Sequence, residues 1–198
     1  MPPEIKPNNQ FRGDRGFTIM EILVAVFLFS FLMIMTGESY LLAQRSFKKG
    51  AEEGELAQNA RVALDRISRE IRQSGSIISS LPPSADDPEN PPISEFIIGD
   101  GHNPETITYI RYYLSGNDLM RQHYGYYLSD NPETFVTPET TDEFGNPPLI
   151  EYFSDDVIGE YFESLGFYGS GGLVNINLSL LKNARAMNIT ISVYSRNK

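Results

Sequence analysis

The residues whose types and spacing carry chemistry lie in one string, Arg15-Gly16-Phe17-Thr18-Ile19-Met20-Glu21. Hydrolysis of the Gly16-Phe17 bond would create an α-ammonium on Phe17, four residues before Glu21. Four residues make about one helical turn, so the new cation would meet the Glu21 carboxylate or be offered to that of a neighbouring chain. A carboxylate in an apolar helix needs such a partner, because an isolated charge there is costly. Glu21 is the only charge among the 20 residues from Phe17 to Thr36. At about 1.5 Å per residue they make roughly 30 Å of helix, the thickness of a bilayer's hydrocarbon core. The stretch can therefore span a membrane. The plainer reading is a single-pass anchor whose glutamate sits near the interface.

The elements that position this string follow from composition and period. The chain has 198 residues, 40% of them hydrophobic, enough for a membrane helix and one soluble domain of moderate size. It has no cysteine, which excludes disulfides, a thiol nucleophile and a cysteine-based zinc site. The net charge is −10; the first 16 residues carry Lys6, Arg12 and Arg15 against Glu4 and Asp14, so loss of that leader would leave about −11. Such a balance disfavours nucleic-acid partners. The three cations before the apolar run favour a cytoplasmic amino terminus, a bias that Arg45, Lys48 and Lys49 beyond it weaken. A cleaved secretory signal fits poorly, since the run is longer than the usual apolar region of about 7 to 15 residues and the candidate cut precedes it.

Between Glu38 and Ser74 there is no proline, and Leu56, Ala60, Ala63, Leu64, Ile67 and Ile71 recur at helical steps. The spacing predicts that the helix continues to Gly75, with the charged residues Arg61, Asp65, Arg66, Arg69, Glu70 and Arg72 on its other sides. Gly37, Gly50 and Gly54 are soft points, and a set of separate shorter helices is the alternative. Residues 81–94 are rich in proline and acid and read as a loop or linker. After them the period changes to that of strands. Glu95 to Ile98 is a short candidate; Thr106 to Leu114 and Leu119 to Leu128 form a hairpin about Ser115-Gly116-Asn117-Asp118. Residues 130–148 read as a second acidic, proline-rich loop. Val157 to Tyr168 tends to strand, and Leu173 to Leu181 with Ala186 to Tyr194 make a second hairpin. The expected fold class is α+β: a leader over 1–16, a transmembrane helix over 17–37, an amphipathic continuation over 38–75 and an antiparallel β domain over 76–198.

No catalytic constellation emerges. Gly99-Asp100-Gly101 begins like a dinucleotide loop without its final glycine, and Tyr168-Gly169-Ser170-Gly171-Gly172 has tyrosine where a nucleophile elbow needs glycine. His102 and His123 read as structural or solvated. Asp86, Asp87 and Glu89, or Glu139, Asp142 and Glu143, hold the oxygen ligands that calcium takes, but solvated loop charge is the preferred reading and no cofactor is expected. Tyr109, Tyr112, Tyr113, Tyr124, Tyr126 and Tyr127 offer a sugar- or protein-binding face, of which alternation makes about half core. The sequons at Asn177 and Asn188 lie within strands and carry no weight.

The string from Arg15 to Glu21 followed by an apolar helix resembles the prepilin processing site of type IV pilins and type II secretion pseudopilins. Arg61-Val62-Ala63-Leu64-Asp65-Arg66 leading to Arg72-Gln73-Ser74-Gly75, the strand pair Ile107 to Gln122, and closing strands ending Ser195-Arg196-Asn197 resemble the J-type minor pseudopilins and W-type minor pilins. The 16-residue leader is long for that group, and the two acidic insertions have no counterpart in it. The resemblance implies a pilin-like fold, and a prepilin peptidase that cuts after Gly16 and methylates Phe17, with Glu21 kept for assembly. It implies a structural subunit rather than an enzyme, with other minor and major subunits and an inner-membrane assembly platform as partners. Localisation would be single-pass in the inner membrane, amino terminus cytoplasmic and β domain outside. Outermost tip subunits of the family often lack the glutamate, so its presence implies a place just below the tip; the missing proline near Glu38 points the same way. The alternative is a membrane-anchored binding module or adhesin that is never assembled.

Overall fold

The computed structural model describes residues 16–102 and 106–196. Glu4, Lys6, Arg12, Asp14 and Arg15, on which the charge argument and the start of the motif rest, lie outside the described residues. By its contacts the chain divides into two units, Met1–Lys48 and Lys49–Lys198.

One helix, α1 (Ile19–Gln73), begins in the first unit and ends in the second, with Gly37, Gly50 and Gly54 inside it. It ends two residues before Gly75, where Ser74 Oγ donates to the Ile71 carbonyl at 2.8 Å. In the first unit every side chain from Gly16 to Lys48 is exposed, including Phe17 at 83% and Phe27 at 71%. An apolar helix without protein cover requires lipid or other helices around it.

In the second unit, Leu56, Ala60, Ala63, Leu64, Ile67 and Ile71 are buried, the face expected from their spacing. They share one core with two antiparallel sheets. The first sheet contains β1 (Ser76–Ile77), β2 (Phe96–Gly99), β3 (Thr108–Ser115), β4 (Asp118–Leu128) and β5 (Asn131–Val136) in that order, with β6 (Leu149–Gly159) also paired to β4. The second contains β7 (Phe162–Ser170), β8 (Leu173–Lys182) and β9 (Arg185–Tyr194). Both expected hairpins are present, β3 with β4 and β8 with β9, and strict alternation turns Val174, Ile176, Leu178 and Leu180 inward. Phe96 of the first sheet stacks on Phe167 of the second, ring centroids 4.5 Å apart.

Two stretches differ from expectation. Residues 130–148 are not wholly loop: Asn131–Val136 is β5, because the register of β4 carries past the end of β3 and Tyr126 and Tyr127 pair with Val136 and Phe135. The strand expected over 157–168 is instead the end of β6 and the start of β7, separated at Tyr161, whose φ of 70° turns the chain. The 81–94 segment forms no helix and no named strand, yet it is docked and not a free linker. Gly169 N donates to the Pro82 carbonyl at 2.7 Å, and Ile93 exchanges backbone bonds of 3.0 and 2.8 Å with Phe167.

Candidate functional site

The amino-terminal segment builds its own cap. The Thr18 N–H donates to Glu21 Oε2 at 2.8 Å, Thr18 Oγ1 donates to the same oxygen at 3.1 Å, and Glu21 N–H donates to Thr18 Oγ1 at 3.3 Å. This reciprocal pair is a capping box, with Thr18 as the cap and Glu21 at the third helical position. It satisfies orphan donors at the helix start and places a carboxylate at the positive end of the helix dipole. Ile22 N–H to the Thr18 carbonyl, 3.2 Å, is the first intrahelical bond. Both Thr18 donors fall on Oε2, and Oε1 accepts nothing among the described residues. Thr18 is the residue that sequence reasoning passed over, although threonine three residues before a glutamate and an apolar run is a legible signal. Phe17, Glu21, Ala25 and Phe29, at steps of four, line one side of the helix.

Chemistry-bearing residues in the second unit converge in ways that spacing did not reveal. Glu70, placed by pattern among the solvent-facing charges, is 7% exposed. Arg121 Nε donates to both of its oxygens at 2.9 and 3.0 Å, the Tyr112 hydroxyl donates to Oε2, and Arg66 Nε reaches Oε1 at 3.4 Å. The carboxylate is inside because it is paired there. Burial first, then the Glu70 charge, raises the Tyr112 phenol well above its ordinary pKa, so the hydroxyl remains a donor.

His102 and His123 share Asp100. His102 Nδ1 lies 2.5 Å from Oδ1 and Thr108 Oγ1 3.5 Å from Oδ2; His123 Nε2 lies 3.4 Å from Oδ2, within ion-pair range but without hydrogen-bond geometry. Burial acts to raise the Asp100 pKa, but the backbone N–H and ring of His102 outweigh it and hold the carboxyl below its usual range. Burial lowers the His123 pKa against the opposing charge of Asp100, Arg121 adds to the fall, and the Phe153 ring packs 4.9 Å away. An unfolded chain therefore takes up the His123 proton first, near pH 6.5, and stability is lost as pH falls from about 6.5 through the folded value. Asp100 adds a further loss below about pH 3.9. The melting temperature should drop between about pH 7 and pH 5, and His123→Gln should flatten that slope. Parallel profiles for the two proteins would acquit His123.

Of the tyrosines, Tyr109, Tyr112 and Tyr124 are buried and Tyr113, Tyr126 and Tyr127 are not. Tyr109 and Tyr124 lie on the face opposite Tyr112 and are covered by aromatic neighbours, Tyr126 at 5.6 and 5.7 Å among them. The glycine motifs have structural reasons. A Cβ on Gly101 would fall 1.7 Å from the Gln73 carbonyl oxygen, and one on Gly169 1.9 Å from that of Leu173. Among the described residues no group of three or more side chains is placed to hold a metal. Asp87 and Asp142 instead accept backbone N–H groups of their own loops, Glu89 at 3.0 Å and Asn146 at 2.7 Å.

Residues 11–37 match the family model of the prokaryotic N-terminal methylation motif. No curated protein and no solved structure matches the chain. The motif is typical of type IV pilins and pseudopilins, implies processing by a prepilin peptidase, and points to a structural, non-enzymatic protein. α1 is long and apolar enough to cross a membrane, and with the motif it indicates membrane anchoring. A methylation motif at the head of an apolar helix, followed by antiparallel sheets packed on that helix's later turns, makes this a prepilin-like protein.

Proposed function

We propose that the chain is a minor pilin or pseudopilin, placed in low copy just below the tip of a type IV pilus or type II secretion pseudopilus. The reading divides it into a leader over 1–16, a filament-core helix over 17–37, its amphipathic continuation over 38–75 and a displayed β domain over 76–198. Peptidase cleavage between Gly16 and Phe17, methylation of Phe17 and retention of Glu21 are its chemistry. Before assembly the subunit sits single-pass in the inner membrane, amino terminus cytoplasmic and β domain outside. Other subunits and the membrane assembly platform are its partners.

The observation that carries the reading is the geometry of Glu21. Its Oε2 is occupied within its own chain by Thr18, while Oε1 accepts nothing among the described residues. In an apolar filament core an unpaired carboxylate costs several kcal/mol, so the open oxygen selects for the α-ammonium of an adjacent subunit. Glu21→Val should leave cleavage intact and reduce recruitment, read as loss of cross-links between cysteines engineered near both amino termini. The chain has no native cysteine to confuse that readout. Normal assembly by the variant, or a copy number equal to that of the main filament subunit, would overturn the assignment.

A further inference from the structure

The outer edge of β6 is a long row of open backbone. Among the described residues β6 pairs only with β4, and none of its backbone groups bonds elsewhere save Glu160 N–H just beyond its end, which meets Asn59. Leu149, Ile150, Tyr152, Phe153 and Val157 are all more than 40% exposed along it. Apolar residues on an unpaired edge form a template for a further strand. Two bulges, at Leu119/Met120 and His123/Tyr124, bend the pair, but between them the register is regular.

Charge decides which strand. From Arg121 to Lys182 the chain contains no lysine or arginine in between, and ten carboxylates, among them Glu151, Asp155 and Asp156 of β6 itself. Arg121 is spent on Glu70, and Arg111 of the same sheet is paired with Glu95 at 2.7 Å. Asp155 is oriented by the Tyr113 hydroxyl at 3.0 Å and the Gln122 amide at 3.3 Å. Glu151 and Asp156 are exposed, and neither side chain makes a hydrogen bond or ion pair among the described residues. The same edge on a second copy would bring like charges together, which suppresses pairing of identical subunits. The complement is an extended segment alternating cations with apolar residues.

We infer that β6 is the docking edge for a basic, extended segment of a different protein chain, which adds to the first sheet as a strand beyond Leu149–Val157. Backbone bonds would supply affinity, the exposed apolar residues packing, and Glu151 and Asp156 selection.

The test uses the full chain in zwitterionic detergent micelles, empty micelles as the blank, and a fluorescent peptide alternating lysine with valine as the probe. The peptide should bind and should slow amide exchange across Leu149–Val157. Replacing its lysines by glutamates, or methylating alternate amide nitrogens so that charge stays but strand pairing is lost, should each weaken binding at least about tenfold. Glu151→Lys with Asp156→Asn in the protein, which sets no new cation opposite Arg121, should weaken it by about the same factor, without a change in melting temperature. Equal binding of the methylated peptide, protection of β9 in place of β6, or self-association that excludes the peptide would each overturn the inference. None of these outcomes depends on processing at Gly16, so failure here leaves the amino-terminal reading standing.

Discussion

Glu70→Leu is expected to destabilise the 49–198 unit by about 3–5 kcal/mol, measured by chemical denaturation of the full chain in detergent. The loss comes from what the carboxylate leaves behind. Arg121, its side chain 11% exposed, would hold an unpaired cation beneath the helix, and the Tyr112 hydroxyl, on a fully buried side chain, would lose its acceptor. Arg66 loses less, since 40% of its side chain already meets solvent and its contact is the long one at 3.4 Å. Adding Arg121→Met and Tyr112→Phe to Glu70→Leu should recover most of the stability, because removing all partners of a buried pair is often neutral or favourable. A single variant within about 0.5 kcal/mol of wild type would show that this cluster does not hold helix to sheet.

Glu70 also marks where sequence reasoning stops. Its neighbours Ala63, Leu64, Ile67 and Ile71 were legible because an apolar face repeats every three or four residues, and all are buried. A glutamate among them reads as solvent-facing unless its buried partners are known, and these, Tyr112 and Arg121, stand 42 and 51 residues away. Asp100, His102 and His123 pose the same problem: nothing in local pattern brings two histidines to one carboxylate. The first hairpin was legible from its turn, Gly116 taking the positive φ of 62°, and the second from the alternation of its two strands. β6 was read only at its end, because both of its faces are exposed and Asp155 and Asp156 interrupt any alternation. Thr18 was legible in type, but the apolar run and Glu21 drew the reading to the membrane and away from the cap.

Gly16→Val should abolish removal of the first 16 residues in cells that contain the peptidase, while leaving the fold intact. The structure supplies the reason to separate these effects. A Cβ built on Gly16 meets nothing within 4 Å, and Gly16 is not among the glycines with positive φ. Nothing in the folded chain therefore demands glycine there, in contrast to Gly101, whose added Cβ would strike the Gln73 carbonyl. If glycine is required at position 16, the requirement lies in the peptidase site that must accommodate the residue before the cut. The substitution leaves Thr18 and Glu21 in place, so the capping box and the melting temperature should match those of the parent. Intact mass decides the outcome: the variant should retain its leader and an unmethylated chain, and the parent should begin at Phe17 with one added methyl group. Gly16→Ala, with a smaller side chain, should be cut slowly. A mature species beginning at Phe17 from the valine variant, or a parent that never loses its leader beside an active peptidase, would remove the basis for the filament assignment.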